Sequence, residues 1–470
     1  MNVFLVIIWA LSVLSVVFLE NKNPDEAILW VLVLSFIPYF GIILYLAFGN
    51  TMSLRITRFI RKRRFTAEWR KIAYNSVQFT QGGAVGSYST VDSSVIHFNQ
   101  SYNQCPLSSC TSHEIFTGGE AHYARLFEDI KNAEESIHVL FYTIHNDETG
   151  RAFVDALTAK AREGVKVWVM FDALVNMSSP PSMYKELKKA GGVVKRLKPF
   201  MHQFRSHRKI VIIDSKFGYI GGMNIGNKYR NVGSNKTPWR DTQIRLEGEC
   251  ICELEELFLN DWVGVIGKKQ CLSMIPEFMA IPAKVDRTPG TPCQFVSGGV
   301  GNDLQAIKMC YLSMIRSAQH SIKIQTPYFI PDRSILEALQ VASSSGVSVD
   351  IMVPGIKSSF FLEPETRYYC GQMLKVGARI WQYKGYVHAK TMTIDDELCC
   401  IGSVNMDVRS LCIDDEICGV FYGNDLVNDY LNLFAEDCRN SDEYILPEFE
   451  KRGMFKRFEE HFFRLFAPFM

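Results

Sequence analysis

The chain opens with two apolar runs that carry no charge, Met1 to Leu19 and Ala27 to Phe48, separated by a short polar loop from Glu20 to Glu26. At about 1.5 Å per helical residue, each run is long enough to cross a hydrocarbon core of roughly 30 Å, so the pattern predicts a two-helix transmembrane hairpin over residues 1–50. The first run lacks a basic leader and a small-residue cleavage site before Glu20, which favours an uncleaved helix over a signal peptide. The loop holds one basic residue, Lys22, against three acids, whereas Arg55, Arg58, Arg61, Lys62, Arg63 and Arg64 follow the second run. Basic clusters stay on the cytoplasmic side, so the rest of the chain is expected there. Alternation of the cluster with Leu54, Ile56, Phe59 and Ile60 would let it lie along an anionic membrane surface, each cation contributing about 1 kcal/mol.

Beyond residue 115 the hydrophobic pattern repeats. SIHVLFYTIHND, Ser136 to Asp147, matches SIKIQTPYFIPD, Ser321 to Asp332. Helix-like stretches precede both (121–135 and 304–319), amphipathic helices follow both (150–163 and 334–345), and each then passes through a Gly into a β-branched apolar run, GVKVWVMFDA or GVSVDIMVPG. Apolar β-branched runs with helices between them give an α/β sheet in each copy. The fold class expected is therefore α/β: two repeated sheet domains related by a pseudo-two-fold axis, preceded by the hairpin. The boundaries read from composition are 1–50 for the hairpin, 51–115 for a basic juxtamembrane segment and linker, 116–290 for the first repeat and 291–470 for the second. Residues 76–115, rich in Ser, Gln, Gly and Asn, read as a loop-rich linker, and 285–303, with Pro289, Pro292 and several glycines, as the join between repeats.

Composition adds limits. With 470 residues, 47% of them hydrophobic, the chain can bury a large core in two or three domains. A net charge of only +1 gives no reason to expect nucleic acid as a partner. The thirteen cysteines follow no metal-ligand spacing, and the C-x-C of Cys250 and Cys252 lacks a second ligand pair. They read as buried free thiols.

The chemistry lies in a second repeated feature. HRKIVIIDSKFGYIGGMN supplies His207, Lys209, Asp214, Gly221, Gly222 and Asn224; HAKTMTIDDELCCIGSVN supplies His388, Lys390, Asp395, Gly402, Ser403 and Asn405. Both fit H-x-K-x4-D-x6-G-[GS]-x-N. A single H-x-K carries no information, but two full copies at matching places of a repeated architecture do. On a strand, His and Lys two residues apart share a face. The small residues are expected to let the backbone and the amides of Asn224 and Asn405 approach a phosphate. Asp214 and Asp395, members of the motif set, fall at odd spacing and are expected to play structural parts without touching phosphate.

These residue types suit phosphodiester transfer. Two ammonium groups and two amides can hold anionic oxygens and stabilise added charge. One imidazole can attack phosphorus while the other moves protons to and from the alcohols. With lysines supplying the positive charge, no metal or other cofactor is called for. Each His needs a partner on its other ring nitrogen, and the acids downstream of the motifs, Asp241 in WRDT and Glu416 in DDEI, are the candidates. His145, near the first strand end, reads as a loop residue.

These motifs resemble the phospholipase D superfamily and, within it, the bacterial cardiolipin synthases of the phospholipase D type. The likeness runs through the hairpin, NDETG, HRKIVIID, IGGMNIG, WRDT, TPYFIPDRSILEAL, GVSVDIMVPG, YVHAKTMTID and the terminal RLFAPFM. It implies that a phosphatidyl group passes from one phosphatidylglycerol to another through a phosphohistidine, releasing glycerol, with His207 as nucleophile and His388 as acid and base. It also implies a multi-pass protein of the bacterial inner membrane, with a phospholipid membrane as partner, phosphatidylglycerol as substrate and no oligomer required. Other functions rank behind: a hydrolytic phospholipase D, then a membrane-bound nuclease or an inactive scaffold. The last twenty residues mix Phe455, Phe458, Phe462, Phe463, Leu465 and Phe466 with basic side chains, as in a helix at a lipid interface or one packed on the second repeat.

Overall fold

A computed structural model describes residues 3–19, 24–48, 90–173, 175–197, 205–231, 238–266, 274, 285–299, 305–356 and 359–465. The basic cluster from Arg55 to Arg64 lies outside the described residues. The chain divides into two units, one containing the N-terminal helices and the other containing both repeats.

The N-terminal unit holds three helices, Val3–Leu19, Pro24–Phe36 and Pro38–Phe48. Their seam is small: Val16, Trp30, Leu34 and Tyr45 pack together, and the Trp9 indole donates to the Leu34 carbonyl. The outward side is apolar, with Leu11, Leu14, Phe18, Leu32, Phe36 and Ile43 exposed. Here the structure departs from the expected membrane-crossing hairpin. Among the described residues, no helix is long and apolar enough to cross a membrane. The first helix has 17 residues, about 25 Å. The second apolar run is broken at Ile37, because Pro38 has no N–H to continue the ladder and begins a new helix.

In the other unit the expected repeat is present in register. The first sheet runs Ser112–Phe116, Gln243–Glu247, Phe217–Gly221, Ile210–Ile213, Ser136–Phe141, Lys166–Asp172, Val193–Leu197. The second contains the same seven-strand order: Thr291–Gly298, Glu416–Tyr422, Leu398–Gly402, Thr391–Ile394, Ser321–Gln325, Ser348–Pro354, Arg379–Tyr383. Two more edge strands, Ser108–Cys110 and Ser441–Tyr444, bring it to nine. Within these two sheets parallel pairing is confined to the β-α-β stretches, and the motif strands pair antiparallel. Asp147 and Asp332, at matching places in the repeat, accept from the N–H of Gly150 and Ile335 and start the helices Glu148–Arg162 and Arg333–Ser344. Gly164 and Gly346, both at positive φ, follow those helices before the next strand.

The central strands are buried on both faces. On one face of the first sheet Ile137, Val139 and Phe141 meet Leu126, Ile130, Phe153 and Leu157 of the covering helices. On the other, His138 stacks between Trp168 and Phe258. The two sheets approach through the same side: a Cβ on Gly419 would stand 3.1 Å from Ile220 Cδ1. The linker expected over 76–115 is structured where described, and it crosses between repeats. Helix Thr90–Ser101 and strand Ser108–Cys110 join the second sheet, while Ser112–Phe116 edges the first. Its polar composition hid the buried Val95, Ile96 and Leu107.

Asp214 and Asp395 do structural work, as their spacing suggested. Each sits at positive φ just after its motif strand. Asp214 accepts from the N–H groups of Glu134, Glu135 and Ser136 at 2.7–2.9 Å, and Asp395 from those of Gln319, His320 and Ser321 at 2.6–2.7 Å. Each carboxylate thereby clamps the start of the strand beside its motif. Asp214→Ala strips a charged acceptor from three amides and should cost about 3–5 kcal/mol of stability. Asp214→Asn, which can keep the two bonds to Oδ1, should cost less. Denaturation midpoints in micelles will separate the two, and equal midpoints for Asp214→Ala and wild type would discard this account.

Candidate active site

Neither motif His lies on a strand. Strands begin at Ile210 and Thr391, so His207, Lys209, His388 and Lys390 occupy the three irregular residues just ahead. The four residues after each Lys are the buried strand expected. The irregular stretches are held by the opposite repeat. His207 N–H donates to the Asp415 carbonyl at 2.8 Å, and His388 N–H to the Arg240 carbonyl at 2.6 Å. Tyr386–Val387 pairs in parallel with Trp239–Arg240, and Ser206 bridges Asp415 likewise. Both repeats therefore meet at both histidines.

The orienting acids cross over too. His207 Nδ1 lies 2.8 Å from Glu416 Oε1, and His388 Nδ1 lies 2.5 Å from Asp241 Oδ2. Sequence picked out both acids, but it placed each beside its own motif; the fold hands each to the other repeat's His. The small residues serve this arrangement. A Cβ on Gly222 would fall 2.0 Å from Asp241 Oδ1, so only glycine leaves room for that carboxylate. Ser403, its counterpart, donates its hydroxyl to Glu416 Oε2. The glycine–serine position thus seats the acids; the expected close approach to phosphate is not its reason.

Burial sets the electrostatics of the site. Lys209 and Lys390 are buried, and burial lowers them to about 7 and about 8, against the pull of Glu416 and Asp241. His388 is held down to about 3, first by burial and then by the Lys390 charge, so its imidazole is neutral. Burial raises Glu416 to about 7, while nearby charge on Lys209 resists. The Lys209 ammonium donates to the His207 carbonyl at 2.5 Å and lies over the Tyr142 ring at 5.2 Å.

The two asparagines differ. Asn224 Oδ1 accepts from Thr143 N–H at 3.1 Å and its amide donates to the Tyr229 hydroxyl at 2.8 Å. Asn405 is buried, and its Oδ1 has no partner among the described residues. Sequence reasoning missed the aromatic wall. Tyr142 meets His207 edge-on at 4.7 Å, and Trp239, Tyr386 and Tyr229 surround His388 at 5.0, 6.0 and 6.3 Å. Trp239 and Tyr386 stand two residues before Asp241 and His388, which was the available signal. His145 is in a loop, its N–H donating to the Ile225 carbonyl and its ring 6.4 Å from Tyr229.

Comparison with known proteins follows the same lines. A family model for the phospholipase D-like domain of cardiolipin synthases matches residues 126–238 and 311–438, and one for the phospholipase D-nuclease N-terminal region matches 7–50. The major cardiolipin synthase of Bacillus subtilis is 33% identical over 98% of this chain and 97% of its own. The cardiolipin synthase of Oceanobacillus iheyensis is 33% identical over 97% and 96%. In fold, the chain is similar to the phosphatidylserine synthase of Haemophilus influenzae, with a TM-score of 0.60 at 15% identity over 80% of this chain and 98% of that one.

The crossed pairing has a direct spectroscopic consequence. In protein labelled with 15N-histidine, Glu416→Gln should shift the Nδ1 resonance of His207 and leave that of His388, and Asp241→Asn should do the reverse. Within-repeat effects would refute the crossing.

Proposed function

The chain belongs to the phospholipase D-like cardiolipin synthase family, and on that premise we propose how its two repeats move a phosphatidyl group between phosphatidylglycerols. His207 is the nucleophile. The observation that carries this is its Nδ1, which faces two acceptors, Glu416 Oε1 at 2.8 Å and the Ser403 carbonyl at 3.1 Å. Two acceptors demand a proton on Nδ1, which leaves the Nε2 lone pair for phosphorus. His388 differs, because its Nδ1 also lies 2.8 Å from the Lys390 nitrogen.

Bound phosphate adds negative charge beside His388 and draws a proton onto its imidazole. In the first step His207 Nε2 bonds to phosphorus, the P–O bond to glycerol breaks, and His388 delivers that proton to the departing glycerol oxygen, returning to the neutral form that serves as base in the second. In the second, His388 takes the proton of the acceptor's terminal hydroxyl, that oxygen bonds to phosphorus, and the P–N bond breaks. One diester replaces another, so the cycle consumes no activated donor. Lys209 and Lys390 hold the phosphate oxygens, and the amide N–H groups of Asn405 and the remaining amide proton of Asn224 add neutral contacts.

The substrates are lipids, and two surfaces suit that work. The N-terminal helices present an apolar exterior, which we read as a bilayer anchor in the bacterial inner membrane, with the basic residues from Arg55 to Arg64 favouring its anionic cytoplasmic face and so a cytoplasmic catalytic body. The C-terminal helix Met454–Phe463 buries Glu460 and Phe463, yet exposes Met454, Phe455, Phe458 and Phe462 beside Lys456 and Arg457. Both readings of the tail therefore coexist: one face is pinned by Arg367 and Arg452 on Glu460, and the other is available to the lipid interface.

Purified protein in phosphatidylglycerol micelles with chelator should yield cardiolipin and equimolar glycerol, and His207→Ala and His388→Ala should each lose at least about 10³-fold. Phosphatidic acid as the main product would establish hydrolysis in place of transfer. pH offers a second test. Below their pKa values both lysines are charged and hold an anion; as pH rises through about 7 to about 8 the free enzyme loses that charge. The kcat/KM profile should therefore fall on its alkaline side in this range. The limb in kcat should lie higher, since bound phosphate stabilises the ammonium form. Coincident limbs would contradict the assignment.

A further inference from the structure

The reaction presents a charge problem that the two motifs do not solve. Both donor and acceptor are phosphodiester anions, and in the product only a three-carbon glycerol bridge separates the two phosphates. The acceptor's phosphate must therefore come within a few bond lengths of the reacting centre, beside a phosphate that already occupies Lys209 and Lys390. An anion brought there without a counter-charge would be repelled.

A third cation stands at the right place. Lys228 lies on the short helix Asn227–Arg230, whose first N–H is fixed by Asp147 Oδ2 at 2.8 Å. Its ammonium is 4.9 Å from the centre of the Tyr229 ring and 5.0 Å from that of Trp239. Those rings are themselves packed at 5.2 Å and both border His388. The aromatic faces attract the cation, while burial pushes Lys228 down from the ordinary lysine range against the pull of Asp241, so an incoming anion would restore its charge. No carboxylate comes within ion-pair distance of Lys228 among the described residues. Its charge is felt by both Lys209 and Lys390, which places all three in one field. Beside it the Trp239 indole N–H is buried and has no hydrogen-bond partner among the described residues. An unpaired buried donor next to an uncompensated ammonium is an anion site in want of an anion.

We propose that Lys228 and the Trp239 indole N–H form a second anion subsite, on the His388 side of the pocket, that binds the phosphodiester of the acceptor phosphatidylglycerol. The proposal rests on the phosphatidyl-transfer reading and adds a specificity to it. His388 receives the acceptor's proton, so the acceptor's phosphate belongs on the side of the pocket that His388 borders. An acceptor without a phosphate gains nothing from the subsite. Selection of phosphatidylglycerol over water or free glycerol as acceptor then depends on Lys228.

The test compares two acceptors on one donor. Wild type, Lys228→Gln and Lys228→Arg are given phosphatidylglycerol micelles with radiolabelled glycerol. Labelled phosphatidylglycerol reports return of the phosphatidyl group to an acceptor lacking phosphate, and cardiolipin reports transfer to one that has it. Lys228→Gln should lower cardiolipin formation roughly 10- to 100-fold through the loss of one charged contact. Glycerol exchange should stay within about 2-fold, and Lys228→Arg should recover most of the cardiolipin. Equal loss of both products in Lys228→Gln, or loss of neither, overturns the subsite. A wild type that makes neither product sinks the phosphatidyl-transfer reading itself, and the subsite with it.

Discussion

Everything in the catalytic body depends on two carboxylate–imidazole contacts that cross between repeats, His207 with Glu416 and His388 with Asp241. A buried imidazole with a free Nδ1 would waver between tautomers and rotate; a buried carboxylate without a partner would be costly. Pairing them across the pseudo-two-fold satisfies both needs at once and makes each repeat incomplete alone. The surrounding contacts serve the same end. Backbone N–H groups of both histidines are anchored on the opposite repeat, and Arg240 is locked on Asp437 while donating to the Asp241 carbonyl. Arg208 bridges from the first repeat to the Glu416 carbonyl. A shift of one repeat against the other would therefore disturb both active histidines together.

How much of this the sequence carried depends on whether the deciding contact is local. Strand and helix order in both repeats was legible, since period-2 and helical patterns are set by neighbours a few residues apart. Spacing set Asp214 and Asp395 apart as structural residues, and their carboxylates do hold backbone N–H groups, although the unbroken strand assumed from His to Asp is not there. The same spacing argument misplaced His207 and Lys209 on a strand, because the strand starts only where antiparallel pairing with Ser136–Phe141 begins, a non-local event. The helix Thr90–Ser101 and the Ser108–Cys110 edge went unread for a related reason: their stability comes from a sheet closed by residues nearly two hundred positions later. The crossing of Asp241 and Glu416 belongs to the same class. Sequence can nominate an acid, but only the docking of two repeats decides which histidine it meets. At the N-terminus the error was of another kind. Apolar length was counted across Pro38, a residue that membrane helices tolerate, but here it starts a new helix.

Duplication leaves the two halves chemically unequal despite the shared frame. Gly222 makes room for Asp241 by having no side chain, whereas Ser403 uses its hydroxyl to hold Glu416. Around His207 two acceptors fix a proton on Nδ1; around His388 a carboxylate and an amine share that nitrogen. The aromatic wall is also one-sided, with Trp239, Tyr386 and Tyr229 about His388 and Tyr142 edge-on to His207. This inequality is what the proposed division of labour rests on, in which one histidine bonds phosphorus and the other carries protons between two alcohols.

Burial has pushed two lysines down toward neutrality and a glutamate up to about 7, so each charge in the free site is held at a cost that folding elsewhere must cover. A phosphodiester entering between the lysines is the anion that these cations lack. Binding then restores their charge, and the donors are already in place when the transition state gathers more negative charge on the phosphoryl oxygens. The same reasoning explains why a second anionic lipid can be drawn toward an already occupied site. Repulsion between two phosphates is offset only by a cation outside the first cradle, and a lysine resting on aromatic faces, lowered by burial and without a carboxylate at ion-pair distance, gains from an anion where one already paired would not.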